Sequence, residues 1–394
     1  MTATTVDTDD ARWIDDDASL AGLVDILIEA PRYAMDTEFH RERTFFPQLA
    51  LVQIAWGDAD AGGVALVDPL AVDVTALARL FGSPALAVMH AAQQDIDVLT
   101  HTVGSVPARL YDTQLAAGFL GYGTPSLASL VQREVGASPP KGDRLTDWLS
   151  RPLTESQRRY AIGDVSYLFE LHDRLGAKLA DLGRTTWVEE ACEELRTRPV
   201  SGTTPEQAWL RLKDARSLRP RARAVAQAVA SWRERRAAEI DQPVRHVLAD
   251  LAVLGIAQRQ PTTVEELGST RGVDGRLSRS RLAEGLLEAV RAGREADPPD
   301  APRGTVELDR SMRPAVTLIS AWISQVARDE QLDTELLATR LDIVELLSAP
   351  ESSRLRAGWR AELLGDGVAA LVSGRSGLTF DGAGRLVLTA VSHH

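Results

Sequence analysis

Short apolar runs bounded by turn residues dominate the first third of the chain. YAMDTEF, LALVQIAW, GVALVDP and ALAVMHAA read as buried strands. LAGLVDILIEA, VTALARLFG and IDVLTHTVG carry helical spacing instead. Adjacent strand runs with short turns predict a meander, and the helices around them predict an α/β domain with a mixed sheet. TESQRRYAIGDVSYLFELHDRLGAKLADLG predicts one long amphipathic helix, with Thr154 as its N-cap and Gly183 as its stop. From about residue 204 strand signals vanish and helical periodicity takes over, punctuated by Pro205, Pro220, Pro243 and Pro261 near helix starts. READPPDAPRG, 294–304, reads as a polar linker. A second helical set follows and ends in LTFDGAGRLVLTAV, which suits a small hairpin or a frayed tail. The two sets have similar size, as distant repeats would, without clear identity between them. The expected domains are 1–200, 204–293 and 305–394, with all-α structure after the first.

Composition narrows this picture little. The 394 residues are 44% apolar and 25% charged, as in an ordinary globular protein with two or three domains. A single cysteine, Cys192, excludes a disulfide framework or a zinc–thiolate cluster within one chain. The acidic start MTATTVDTDD is not a secretory signal, and no apolar stretch is long enough to cross a bilayer, so a cytoplasmic protein is expected. His393 and His394 are given no weight.

Charge distribution matters more than the net −12. Residues 1–100 carry 17 acidic and 5 basic side chains, whereas residues 201–300 carry 14 and 17. The bases between Arg211 and Arg236 are nearly all arginine, which suits phosphate contact and equally a solvated helix face.

Asp36 and Glu38 share one face of a strand by the two-residue period. Like charges held together repel unless a cation sits between them, so the pair lies on a solvated edge or holds a metal. Asp95 falls in the first turn of a helix, where the dipole alone would favour an acid. Tyr160 and Asp164 lie four apart on a helix and point together. Each has a bland reading by itself: a capping acid, a core tyrosine, an ion-paired aspartate. Their order, strand then helix start then helix, is the informative feature.

In that order the chain resembles the ribonuclease D family, in the tyrosine subclass of the DEDD superfamily of 3′–5′ exonucleases. DTEFHRERTFFPQLALVQIA, HAAQQDIDVL and LTESQRRYAIGDVSYL resemble its three motifs, and KGDRLTDWLSRPL the segment before the third, over residues 12–180. Residues 205–290 resemble an HRDC domain through AWLRLKDARSL and WRERRAAEIDQPVRHVLAD, and 305–390 a more divergent HRDC-like unit. The resemblance implies a ribonuclease H-like fold and a site in which Asp36, Glu38, Asp95 and Asp164 hold two divalent cations, Mg²⁺ or Mn²⁺. Tyr160 would orient the attacking water. Asp36 would bridge the cations, Glu38 and Asp164 would complete one and Asp95 would serve the other. The chain has Ala91 where much of the superfamily has Asn, and Gln94 where Glu is frequent.

The implied activity is hydrolytic release of nucleoside 5′-monophosphates from RNA 3′ ends, with transfer RNA precursors and small stable RNAs as substrates. Alternatives are a DNA 3′–5′ exonuclease of the same fold and a non-catalytic nucleic-acid-binding scaffold. Phe39 and His40 are candidates for the 3′-terminal nucleotide, Phe45 and Phe46 for stacking or core packing, and Arg219, Arg221 and Arg223 for phosphates. His90 and His101 are not expected to be ligands at an all-oxygen site, and GYGTPSL, 121–127, reads as a turn, not a phosphate loop. A monomer is the default. Every expected ligand lies before residue 200, so residues 1–200 are expected to carry the chemistry alone.

Overall fold

The fold comes from a computed structural model that describes residues 11–57, 62–140, 146–198, 204–275, 282–299, 308 and 310–391. The acidic start, the first five residues of KGDRLTDWLSRPL, the end of the 294–304 linker and the terminal histidine pair lie outside the described residues. The described parts of 1–39, 49–198 and 305–394 form one compact unit, and those of 40–48 and 199–304 form another.

In the first unit, strands β1 (Arg12–Ile14), β2 (Arg32–His40), β3 (Gln48–Trp56), β4 (Gly63–Val67), β5 (Leu86–Met89) and β6 (Leu110–Asp112) form one sheet in the order β1-β4-β3-β2-β5-β6. Pairs β1–β4, β2–β5 and β5–β6 are parallel and β3–β4 is antiparallel, so the sheet is mixed as expected. Helices α1 (Asp17–Glu29), α2 (Leu77–Phe81), α3 (Gln93–Thr102), α4 (Thr113–Gly118), α5 (Leu127–Glu134), α6 (Glu155–Ser166), α7 (Leu168–Asp181) and α8 (Thr185–Thr197) accompany it.

Strand alternation separates two cores. Leu51 and Ala55 of β3 join one apolar cluster, with Ala161, Ile162 and Val165 of α6. Val52 and Ile54 join the other, with Leu23 and Leu27 of α1 and Ile96 and Leu99 of α3. The edge strands β1 and β6 escape the sequence pattern, because three residues are too few to show alternation. The single long helix expected after Thr154 is two helices, broken at Tyr167. Ser166 Oγ bonds back to the carbonyl of Ile162 at 2.6 Å, a contact that bends helices. The expected N-cap holds: Thr154 and Gln157 form a reciprocal capping box.

The second unit contains α9 (Pro220–Glu239), α10 (Val244–Val247), α11 (Asp250–Arg259), α12 (Val264–Gly268) and α13 (Leu282–Glu295) around its own core of Trp209, Val225, Val229, Ile256 and Leu286. The segment 40–48 belongs here: the Phe45 and Phe46 amides donate to Asp241 Oδ1 at 3.0 and 3.1 Å.

Helices α14 (Arg313–Asp329), α15 (Thr334–Leu337), α16 (Arg340–Ser348), α17 (Gly358–Leu364) and α18 (Gly367–Val372) complete the first unit, followed by a hairpin of β7 (Ser376–Phe380) and β8 (Leu386–Ala390). Val316, Ile319, Ile323 and Trp359 share the apolar cluster that contains Phe119, Leu168 and Leu171. Trp359 stacks on Trp187 at 5.5 Å, and buried Arg360 pairs with Glu194 at 2.7 Å. Residues 1–200 therefore share their core with the helices that follow residue 312.

Candidate active site

β2 supplies the first two acids. Its buried Tyr33 and Met35 face one core and Ala34 the other, so Asp36 and Glu38 project on the Ala34 side, toward the core that holds α6. α6 brings Asp164 to them: one oxygen from each of Asp36, Glu38 and Asp164 lies within 4.8 Å of the others. Beside it, Gly163 leaves room for Pro140 to pack on α6, since a Cβ there would stand 2.9 Å from Pro140 Cδ. Tyr160 lies one turn earlier on α6, its ring 6.0 Å from that of Trp148.

Asp95 enters from the first turn of α3 and is buried at 6% exposure. Thr37 Oγ1 donates to Asp95 Oδ1 at 2.5 Å. Burial pushes the Asp36 carboxyl well above its ordinary value, and the charges of Asp95, Asp164 and Glu38 push it further. Asp36 thus feels all three other acids. Burial also raises Asp95, to about 6, against the Thr37 hydrogen bond, and the nearby Asp112 charge adds to the rise. A carboxylate repelled by three others is poorly placed without a cation, although Asp95 lies outside the group of three that approach within 4.8 Å. An all-oxygen donor set of this kind fits a hard divalent ion.

The remaining sequence candidates divide. His40 continues the Asp36–Glu38 face of β2, whereas Phe39 projects the other way and packs against the second core. Phe45 and Phe46 meet edge to face at 4.8 Å within the 40–48 segment. Many of the arginines of 211–236 are engaged inside their own unit: Arg211 with Glu234, Arg233 with Asp250, Arg235 with Glu206 and Arg236 with Glu239. Arg221 donates to the carbonyls of Arg294 and Ala296 at the end of α13. Arg219, the exposed N-cap residue of α9, and Lys213 make no ion pair among the described residues.

Sequence reasoning passed over Thr37 and Asp112. Thr37 sits between the two acids, and its hydroxyl was available as a signal. Asp112 gave none beyond an N-cap pattern before α4.

Comparison with known proteins shows the family. A family model for 3′-5′ exonuclease matches residues 11–180, and one for the HRDC domain matches residues 222–290. Ribonuclease D from Jannaschia sp. (strain CCS1) is 37% identical over 358 residues, covering 89% of this chain and 92% of that protein. Ribonuclease D from Escherichia coli (strain K12) is 33% identical, covering 90% and 96%. The crystal structure of Escherichia coli RNase D, described as an exoribonuclease involved in structured RNA processing, superposes with a TM-score of 0.82 at 30% identity, covering 92% of this chain and 99% of that one.

Proposed function

The chain belongs to the ribonuclease D family of 3′–5′ exoribonucleases, and from that premise we propose that Asp36, Glu38, Asp95 and Asp164 hold two divalent cations, Mg²⁺ or Mn²⁺, at its hydrolytic centre. The observation that carries this is the convergence of Asp36, Glu38 and Asp164 within 4.8 Å. Asp36, loaded by all three other acids, is the carboxylate suited to be shared between two cations. Bound cations supply Lewis-acid stabilisation of the attacking and leaving oxygens of the phosphodiester.

The protein's own groups orient the reaction. Tyr160, one helical turn from Asp164, holds the attacking water in line with the terminal phosphorus through its phenol. Thr37 fixes the Asp95 carboxylate by its hydroxyl. His40, on the same strand face as Glu38, is the better placed neighbour for the 3′-terminal nucleotide, and Phe39 supports the strand from behind. Arg219 and Lys213 of the HRDC-containing unit, exposed and without an ion pair among the described residues, are cations available to phosphates. The products are nucleoside 5′-monophosphates, the substrates transfer RNA precursors and other small structured RNAs in the cytoplasm, and the working form is a monomer.

The test is digestion of a 5′-labelled, 3′-tailed RNA and the matching DNA, with and without Mg²⁺. A ladder shortening from the 3′ end, only with metal and faster on RNA, is expected. Preference for DNA would favour the alternative substrate, and no digestion of either would remove the catalytic reading.

A further inference from the structure

Between β5 and α3 the chain turns through Ala91, whose φ of 56° is in the left-handed region. An alanine there is strained, because Cβ meets the following carbonyl; glycine or asparagine would sit there more easily. The alanine here therefore needs another source of order.

Asp112, at the end of β6 and only 1% exposed, supplies it. Its Oδ1 accepts from the Ala91 amide at 3.2 Å and its Oδ2 from the Ala92 amide at 2.8 Å. The same carboxylate caps α4 through the amides of Gln114 and Leu115. Thr113 adds a second tie: its hydroxyl donates to the Met89 carbonyl at 3.1 Å and lies 2.9 Å from His90 Nδ1. Every residue from Met89 to Ala92 is thus bound to Asp112 or Thr113. Ala92 is the residue on which α3 begins, and Asp95 lies in that helix's first turn.

We propose that Asp112, seconded by Thr113, is a positioning residue that holds the Ala91 turn and so sets the approach of Asp95 to the other three acids. The proposal rests on the reading of Asp95 as a metal-holding carboxylate. Asp112→Asn places an amide N–H against one of the four backbone N–H groups that the carboxylate now accepts. Residues that orient a metal ligand are typically worth roughly 10–100-fold in metal affinity. A glycine at position 91 adopts the left-handed turn without help.

The experiment is calorimetric titration of the full chain with Mn²⁺, with melting temperature measured alongside. Asp112→Asn is expected to weaken Mn²⁺ binding about 10-fold or more, and adding Ala91→Gly to it is expected to restore much of that affinity. Thr113→Val, a milder change, is expected to move affinity in the same direction by less, and serves if Asp112→Asn does not fold. Asp95→Asn is the control. If it binds Mn²⁺ as the wild type does, the assignment of Asp95 fails and the proposal with it. If Asp95→Asn loses binding while Asp112→Asn and Thr113→Val keep wild-type affinity, the proposal alone is overturned. A fall in both affinity and melting temperature that Ala91→Gly does not repair also overturns it, leaving Asp112 as a structural cap.

Discussion

Two helical sets in this chain follow the same plan and do opposite things with it. In each, a long helix (α9, α14) is followed two residues past its end by a non-glycine residue with positive φ, Asp241 at 46° and Gln331 at 53°, then by a four-residue helix and a longer one. Val247 and Leu337 are buried at matching places in the short helices. The turn itself is a point of attachment in both sets. Asp241 accepts the amides of Phe45 and Phe46, and the Asp333 amide, two residues after Gln331, donates to the Gly118 carbonyl at 3.0 Å. The first set closes a core of its own and keeps an arginine-rich exterior. The second gives Val316, Ile319, Ile323 and Trp359 to the core beside the catalytic helix α6. One set is therefore a separate unit, and the other is part of the unit that holds the sheet. What distinguishes them is which core the long helix joins, not the order of elements.

Ending the chain at residue 304 should break the comparison most severely. It uncovers the partners of Val316, Ile319, Ile323 and Trp359, each worth roughly 1.5–3 kcal/mol when buried. Native stability is only about 5–15 kcal/mol. In the truncated chain the nuclease unit should lose its cooperative thermal transition and its cleavage, while the transition of the second unit persists. A well-folded, active product would mean the second set is dispensable.

Two tryptophans make the same comparison at single-residue scale. Trp359→Ala should cost about 3–5 kcal/mol and lower the melting of the nuclease itself. Trp209 is equally buried, but in the other unit. Trp209→Ala should disturb that unit by a similar amount while cleavage of short oligomers persists. Equal loss of short-oligomer cleavage in both variants would erase the distinction drawn here.

Smaller effects follow from charge. In the metal-free protein Asp36 and Asp95 are raised above the ordinary 3.8, Asp95 to about 6. A carboxyl whose folded value is raised favours folding at low pH, and that contribution is lost as pH climbs from about 4 through about 6. The metal-free melting temperature should fall across that window, and saturating Mg²⁺ should restore it at neutral pH. A melting temperature indifferent to Mg²⁺ at pH 7 would contradict it. On the exterior of the first set, Arg219→Glu should weaken RNA binding, measured in Ca²⁺, and flatten the slope of log K against log salt by about 0.7. Arg221→Glu should chiefly loosen the end of α13, whose carbonyls Arg221 holds, and show up in melting more than in the salt slope.

The legible part of this molecule was its periodic part. Strands β2 to β5, the cap at Thr154 and the acids Asp36, Glu38, Asp95 and Asp164 all lie in segments where alternation or helical spacing speaks. The three-residue edges β1 and β6 were too short to read. Asp112 was invisible for a related reason. Its partners at Ala91 and Ala92 are backbone amides on another strand's exit, and backbone groups leave no mark in a side-chain pattern. The arginines of 211–236 were visible, but their partners in the fold were not. The second helical set read as a freestanding domain because nothing in its amphipathic pattern says which core its apolar face will join.

Asp36→Asn measures the central claim most directly, because it separates chemistry from folding in one variant. Activity on 3′-tailed RNA in Mg²⁺ should fall on the order of 10³-fold or more, as an anionic ligand becomes a neutral amide. The metal-free melting temperature at pH 7 should hold or rise, since the carboxylate that three others repel is gone. Cleavage at the wild-type rate with a lowered melting temperature would make Asp36 a structural acid and contradict the account.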